Sequence, residues 1–383
     1  MNSVRLHELD AARGAAMLLV CMSHFLAIYT YASLTPPHHM WLLEGLIMLA
    51  RCASPTFLFV SGMMLGFQAD VRGSQFTVFR LRLLDRALFL VSIGHMLVWL
   101  SFVTRFGPGG ALTQGYITDT VAFCVMAGVF VIPQARPRNR IIAGLLLYTG
   151  SWFVWEAWNP DDPVLQTVES VMFGGSPFGI EKDFSFPLLP WFGVFLAGSG
   201  VGGWLQRVGP DGIGRVGRRL LLIAGTMLLT AIVIKAGFMW RTYLGGEALD
   251  LAWYRPVNPS QKHPPGPLYL LVYLAAGFLL LSVILCQARQ SWMKSCRRFL
   301  EPIGKHTLPV FIFQFFLYWT LFYLLVINVP TLPLWVAFGL LLLSLLGVWE
   351  FAKICQQYKV ARFLTVGVQI PPLPPRKGIP SGW

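Results

Sequence analysis

Apolar runs close to membrane-spanning length recur along this chain, separated by short stretches rich in arginine, lysine, proline and glycine. They predict ten helices: Ala11–Tyr31, Trp41–Phe67, Leu83–Val103, Ile117–Ile132, Ile141–Trp158, Phe186–Leu205, Leu220–Trp240, Leu268–Ala288, Thr307–Ile327 and Leu332–Phe351. The implied architecture is all-α, a polytopic integral membrane protein with about ten transmembrane helices in one bundle over residues 1–362. A cytoplasmic tail follows at 363–383, where Pro371-Pro372-Leu373-Pro374-Pro375 favours extended backbone.

Composition agrees with that pattern. The 383 residues are 55% hydrophobic and only 12% charged, well outside the range of an ordinary soluble domain. The net charge of +13 is mostly topological. If the N-terminus is cytoplasmic, 23 of the 30 lysines and arginines fall on inner segments, as the positive-inside rule requires, and both termini are expected inside. Basic residues dispersed among short loops argue against nucleic-acid binding. The first apolar run lacks a small-residue cleavage site and is read as a retained helix. Six cysteines without a C-x-x-C pair define no disulfide framework. Adjacent His38 and His39 do not make a metal-ligand set, and no metal is expected.

Two ionisable residues in the first helix stand out. From Arg13 to His24 is eleven helical steps, roughly 1100° of turn, which returns His24 to within about 20° of Arg13 and about 16 Å further along the axis. One face thus carries a cation near the membrane surface and an imidazole deep inside, an arrangement costly enough to suggest chemistry. Asp10 is placed to hold Arg13 or to serve the helix N-terminus. Glu44 and Arg51, seven residues apart, are expected close to one face of the second helix, with Arg51 near His24 in depth. They serve either the acceptor side of a site or an interhelical charge network. Trp191 is a candidate for stacking on a sugar, against the default of a membrane-boundary tryptophan. Two long outer loops, 159–185 and 241–267, are candidates for an acceptor vestibule.

Arg13-x10-His24 resembles the signature of integral-membrane acyltransferases, the acyltransferase 3 and heparan-α-glucosaminide N-acetyltransferase-like superfamily. Ser54-Pro55-Thr56-Phe57-Leu58-Phe59-Val60-Ser61-Gly62 resembles the second-helix motif, and Arg80-x-Arg82-x3-Arg86 the basic start of the third. Pro187-Leu188-Leu189-Pro190-Trp191-Phe192-Gly193, Lys262-His263-Pro264-Pro265 and Gly304-Lys305-His306-Thr307-Leu308-Pro309 resemble further segments in the same order along most of the chain. Gln314 stands where many relatives carry histidine.

The resemblance implies transfer of an acyl group, commonly acetyl, from acyl-CoA as co-substrate to a carbohydrate hydroxyl or amine. No tightly bound cofactor is implied. By matched position, His24 is the catalytic histidine and Arg13 its paired cation. Histidine suits a general base that takes the acceptor proton, and direct transfer and a transient acyl-histidine both remain open. Arg13, Arg80, Arg82 and Arg86 are candidates to orient the CoA phosphates. The competing reading is a transporter or flippase that uses the same polar passage for binding alone, although no pair of broken inverted repeats favours it. A structural assembly subunit is a third reading, which predicts that His24 is replaceable.

Overall fold

The computed structural model describes residues 6–32, 40–112, 115–158, 160–174, 186–243, 255–329 and 332–358. The tail predicted at 363–383 and the pair His38 and His39 lie outside these residues. Among the described residues there is no strand, and helices follow one another as α1 (His7–Ala32), α2 (Met40–Ala50), α3 (Ala53–Arg72), α4 (Phe76–Phe89), α5 (His95–Leu112), α6 (Ile117–Val131) and α7 (Pro137–Ala157). The second half continues with α8 (Pro163–Met172), α9 (Leu188–Tyr243), α10 (Pro267–Cys286), α11 (Ser291–Lys305), α12 (Thr307–Phe315), α13 (Tyr323–Asn328) and α14 (Leu334–Gln357).

Seven stretches of described helix are long and apolar enough to cross a membrane. Two of them, Leu42–Val103 and Leu188–Arg241, run to 62 and 54 residues, well beyond the roughly 20 residues of one crossing. The 56-residue α9 turns at Gly209, whose φ of 62° is a conformation glycine tolerates, followed by Pro210, which lacks the amide proton for an intrahelical bond. Many leucines, isoleucines and valines stand exposed on α7, α9 and α14. Such apolar surface suits lipid as its solvent, and the protein is an integral membrane protein.

Three elements differ from the sequence expectation. The predicted helix Trp41–Phe67 is two helices, α2 and α3, with turn backbone at Arg51 and Cys52. The freed Arg51 carbonyl accepts a hydrogen bond from the Tyr269 hydroxyl at 3.1 Å, which satisfies a backbone group that a continuous helix would have used. The basic connection after α10 contains helix α11, which the apolar-run criterion passes over because its apolar positions form one stripe beside Lys294, Arg297 and Arg298. The loop after Trp158 contains α8, started by the Asp162 carboxylate, which accepts from the Val164 and Leu165 amides, and by Pro163 in the first turn.

Small residues set the central packing. On α3, Gly62 and Gly66 face α9, and on α9, Gly198 and Gly202 face α3. A Cβ at Gly62 would collide with the Phe195 carbonyl, at Gly66 with that of Ser199, at Gly198 with that of Phe59 and at Gly202 with that of Met63. The two backbones therefore touch along two helical turns, the small-x3-small solution to helix association in lipid. A second such contact joins α1 to α11, where Gly14 meets Leu300 and Gly304 meets Asp10. A buried ion pair, Arg140 with Asp70 at 2.5 Å, ties α7 to α3.

Candidate active site

Helix α1 lies against α11 and α12, so that its Arg13 and His24 face the same neighbouring helix at two depths. The Arg13 guanidinium donates a hydrogen bond to Thr307 Oγ1, at the start of α12. His24 Nδ1 stands 2.8 Å from Gln314 Oε1, seven residues and about 10 Å further along α12. An acceptor at that place calls for the proton on Nδ1, which leaves the His24 Nε2 lone pair available. Gln314 is fully buried, and among the described residues its Nε2 has no partner, so packing and the contact with His24 hold the carboxamide here. Phe315 and Trp319 flank the imidazole, with ring centroids 4.9 and 5.9 Å away.

A cavity of about 660 Å³ opens beside this pair of residues. Its wall on α3 runs from Phe57 through Ser61, Met64 and Gln68 to Arg72, a span of about 22 Å at 1.5 Å per residue. At one end stand Arg13, Arg72, Arg86, Lys305 and His306. Toward the other the lining is Phe57, Ile117, Thr118 and Phe311, and one turn beyond Phe311 come Gln314 and Phe315, which hold His24. The cavity is thus cationic at the Arg13 end and mostly apolar toward the imidazole.

Of the residues singled out in the sequence, the structure gathers Arg13 and Arg86 in this cavity, with His24 just past its apolar end. Arg80 rests its guanidinium over the Phe130 ring at 5.1 Å, and Arg82 is exposed, so neither lines the cavity although they share α4 with Arg86. Asp10 is buried in the α1–α11 contact. Glu44 is exposed on α2. Arg51 does not share a helical face with it, because the helix ends between them, and instead donates to Ser260 Oγ at 2.8 Å. Trp191 is fully buried, its Nε1 has no partner among the described residues, and its ring lies 6.0 Å from that of Phe186. Arg72, Gln68, Lys305 and His306 were not singled out by sequence reasoning. The run Gly304 to Pro309 was noticed only as a string, and nothing local in it points Lys305 and His306 to α3 and α4.

The loop at 255–266 covers the end of the bundle opposite Arg13. Tyr148 donates to the Pro265 carbonyl at 3.0 Å, the Gly266 amide to the Gln261 carbonyl at 2.9 Å, and Arg255 lies 4.0 Å from Glu156. These bonds hold Lys262 with its ammonium 4.9 Å from the Phe186 ring, near enough to His24 for its charge to act on the imidazole. A second polar pair, His95 with Asp119 at 3.0 Å, joins α5 to α6. His95 packs on Tyr116, Tyr116 stacks on Phe102, and Phe102 in turn contacts Phe315 and Trp319.

Seven apolar helical stretches among the described residues, with a histidine set past one end of a partly cationic cavity, define a polytopic membrane protein with an intramembrane polar site, and comparison with known proteins specifies the family. The family model described as heparan-alpha-glucosaminide N-acetyltransferase, catalytic, matches residues 5–230, and that described as OpgC protein matches residues 120–360. Each covers more than half of the chain, which belongs to this group of membrane acyltransferases. No curated protein and no solved structure matches it.

Proposed function

We propose that the protein moves an acyl group, acetyl in the simplest case, from acyl-CoA to a carbohydrate hydroxyl or amine. One observation carries this reading: an imidazole fixed by Gln314 stands beyond the apolar end of a cavity whose far end holds Arg13, Arg72, Arg86 and Lys305. Phosphates of CoA find charge-assisted donors at that cationic end, and the neutral acyl-pantetheine arm finds an apolar wall leading toward His24. With its Nδ1 proton engaged by Gln314, His24 uses Nε2 to take the proton of the acceptor O–H or N–H as that atom attacks the thioester carbonyl. The C–S bond then breaks, and the CoA thiolate leaves with the proton returned from the imidazolium. A transient acyl-histidine uses the same nitrogen, and both routes give the same products. The family names support the carbohydrate acceptor, since one of them is a glucosaminide acetyltransferase.

Donor recognition makes a separate prediction. Arg86→Gln and Arg72→Gln should each raise the KM for acetyl-CoA about tenfold or more with little change in kcat, because a lost charged hydrogen bond costs about 1.5–3 kcal/mol. Arg82→Gln, at an exposed position outside the cavity, should change it far less. Steady-state kinetics of the purified enzyme decide, and equal effects at all three sites would mean that general surface charge, rather than this cavity, gathers the donor.

Orientation follows from the loop charges, with both termini in the cytoplasm and the Arg13 end facing in. An impermeant thiol reagent applied to intact cells should reach a cysteine introduced at Asp162, before α8, and miss one introduced at Arg138, in the first turn of α7. The reverse pattern would turn the protein over and move the donor to the outer side. The membrane itself is expected to be a plasma or inner membrane.

A further inference from the structure

Two cations at the 255–266 loop, one of them close enough to act on His24, have no acid beside them among the described residues. Arg51 bonds Ser260 Oγ and reaches the Met48 sulfur, and Lys262 faces the Phe186 ring. Among the described residues neither forms an ion pair, although the charge of Arg51 reaches Lys262. They are also held together, because Ser260, the partner of Arg51, sits two residues before Lys262 in the pinned loop. Two like charges fixed in a partly dehydrated recess repel each other, and an anion between them removes that repulsion. Neither cation, nor Ser260, lines the cavity that holds Arg13 and Arg86.

We propose that Arg51 and Lys262, with Ser260, form a subsite for an anionic group on the acceptor, a carboxylate or phosphate carried by the sugar whose hydroxyl or amine reaches His24. This rests on the acyltransferase reading for the word acceptor, but the anion site itself does not depend on transfer. The Phe186 ring lies beside Lys262, with the fully buried Trp191 packed against Phe186. Burial, and second the like charge of Arg51, bring the Lys262 ammonium down to about 8. The groups that face it are Arg51 from the α2–α3 break, His24 from α1 and His263 from its own loop. Its charge is therefore present below that pH and lost above it, and binding of a carboxylate should weaken as pH rises through about 8.

The test is direct binding to the full-length protein in detergent or nanodiscs, by calorimetry, with glucuronate, glucose 6-phosphate and glucose as probes. Both anionic sugars should bind, and glucose should bind at least tenfold more weakly. Lys262→Gln and Arg51→Gln should each weaken the anionic sugars about tenfold, and Lys262→Arg should keep them. Adenosine 3′,5′-bisphosphate, the phosphate-bearing end of CoA, should not compete. Glucose binding as well as glucuronate, binding unchanged in Lys262→Gln while the variant keeps its unfolding temperature, or full competition by the bisphosphate would each overturn the proposal. Lys262-dependent binding in a protein that transfers no acyl group would instead preserve the subsite and overturn the acyltransferase chemistry.

Discussion

Replacing His24 by glutamine is expected to reduce acyl transfer by about 10² to 10⁴, the usual worth of a positioned general base, while the protein keeps its fold. Glutamine is the informative choice. Its amide N–H can still reach Gln314 Oε1, the partner of the His24 Nδ1 at 2.8 Å, so the link between α1 and α12 survives. Phe315 and Trp319 keep a planar group to pack on. What glutamine lacks is a nitrogen that takes a proton near neutral pH. The loss should fall on kcat, with the KM for acetyl-CoA unchanged, because the cationic end of the cavity lies a span of several turns away. Single-turnover product formation and thermal unfolding, measured on the same preparation, separate the two roles. A variant that unfolds at the parental temperature and transfers at the parental rate, where chemistry limits, would make His24 a structural contact and return the transporter and assembly readings to the front.

The face shared by Arg13 and His24 was legible because a straight helix has a fixed period, and the structure keeps α1 unbroken across both residues. Apolar periodicity also located most of the helices. It failed at Arg51, where the run of hydrophobic residues continues through a break that only the Tyr269 hydroxyl, far away in sequence, makes affordable. It failed at α11 for the opposite reason: an amphipathic helix at a membrane boundary carries too many charges to register as a span. The cavity wall is a tertiary property. Arg86 and Arg72 come from α4 and α3, Lys305 and His306 from the junction of α11 and α12, and no local spacing relates them. Gln314 was visible in the sequence only as a departure from histidine. Its contact with His24 Nδ1 emerges only when α12 is laid beside α1.

The spacing Gly62-x3-Gly66 against Gly198-x3-Gly202 is a signal the sequence did contain, and its consequence for function is large. Gly62→Leu should lower stability by an amount at or beyond the upper end of the roughly 1–3 kcal/mol that overpacking usually costs, since the new side chain meets the backbone of Phe195 rather than a movable group. Gly45→Leu is the matched control, because a Cβ there meets nothing within 4 Å on an exposed face of α2. The damage should spread to the cavity proposed to hold the donor. Ser61, Met64, Leu65 and Gln68 line it from α3, and they lie within one turn of the glycines that set the distance of this helix from α9. Thermal unfolding in detergent should therefore show a clear drop for Gly62→Leu and little change for Gly45→Leu, and at a temperature where both remain folded the first should bind acetyl-CoA more weakly. Equal unfolding temperatures for the two variants would mean that α3 and α9 are not in backbone contact, and the position of the cavity wall would have to be drawn again.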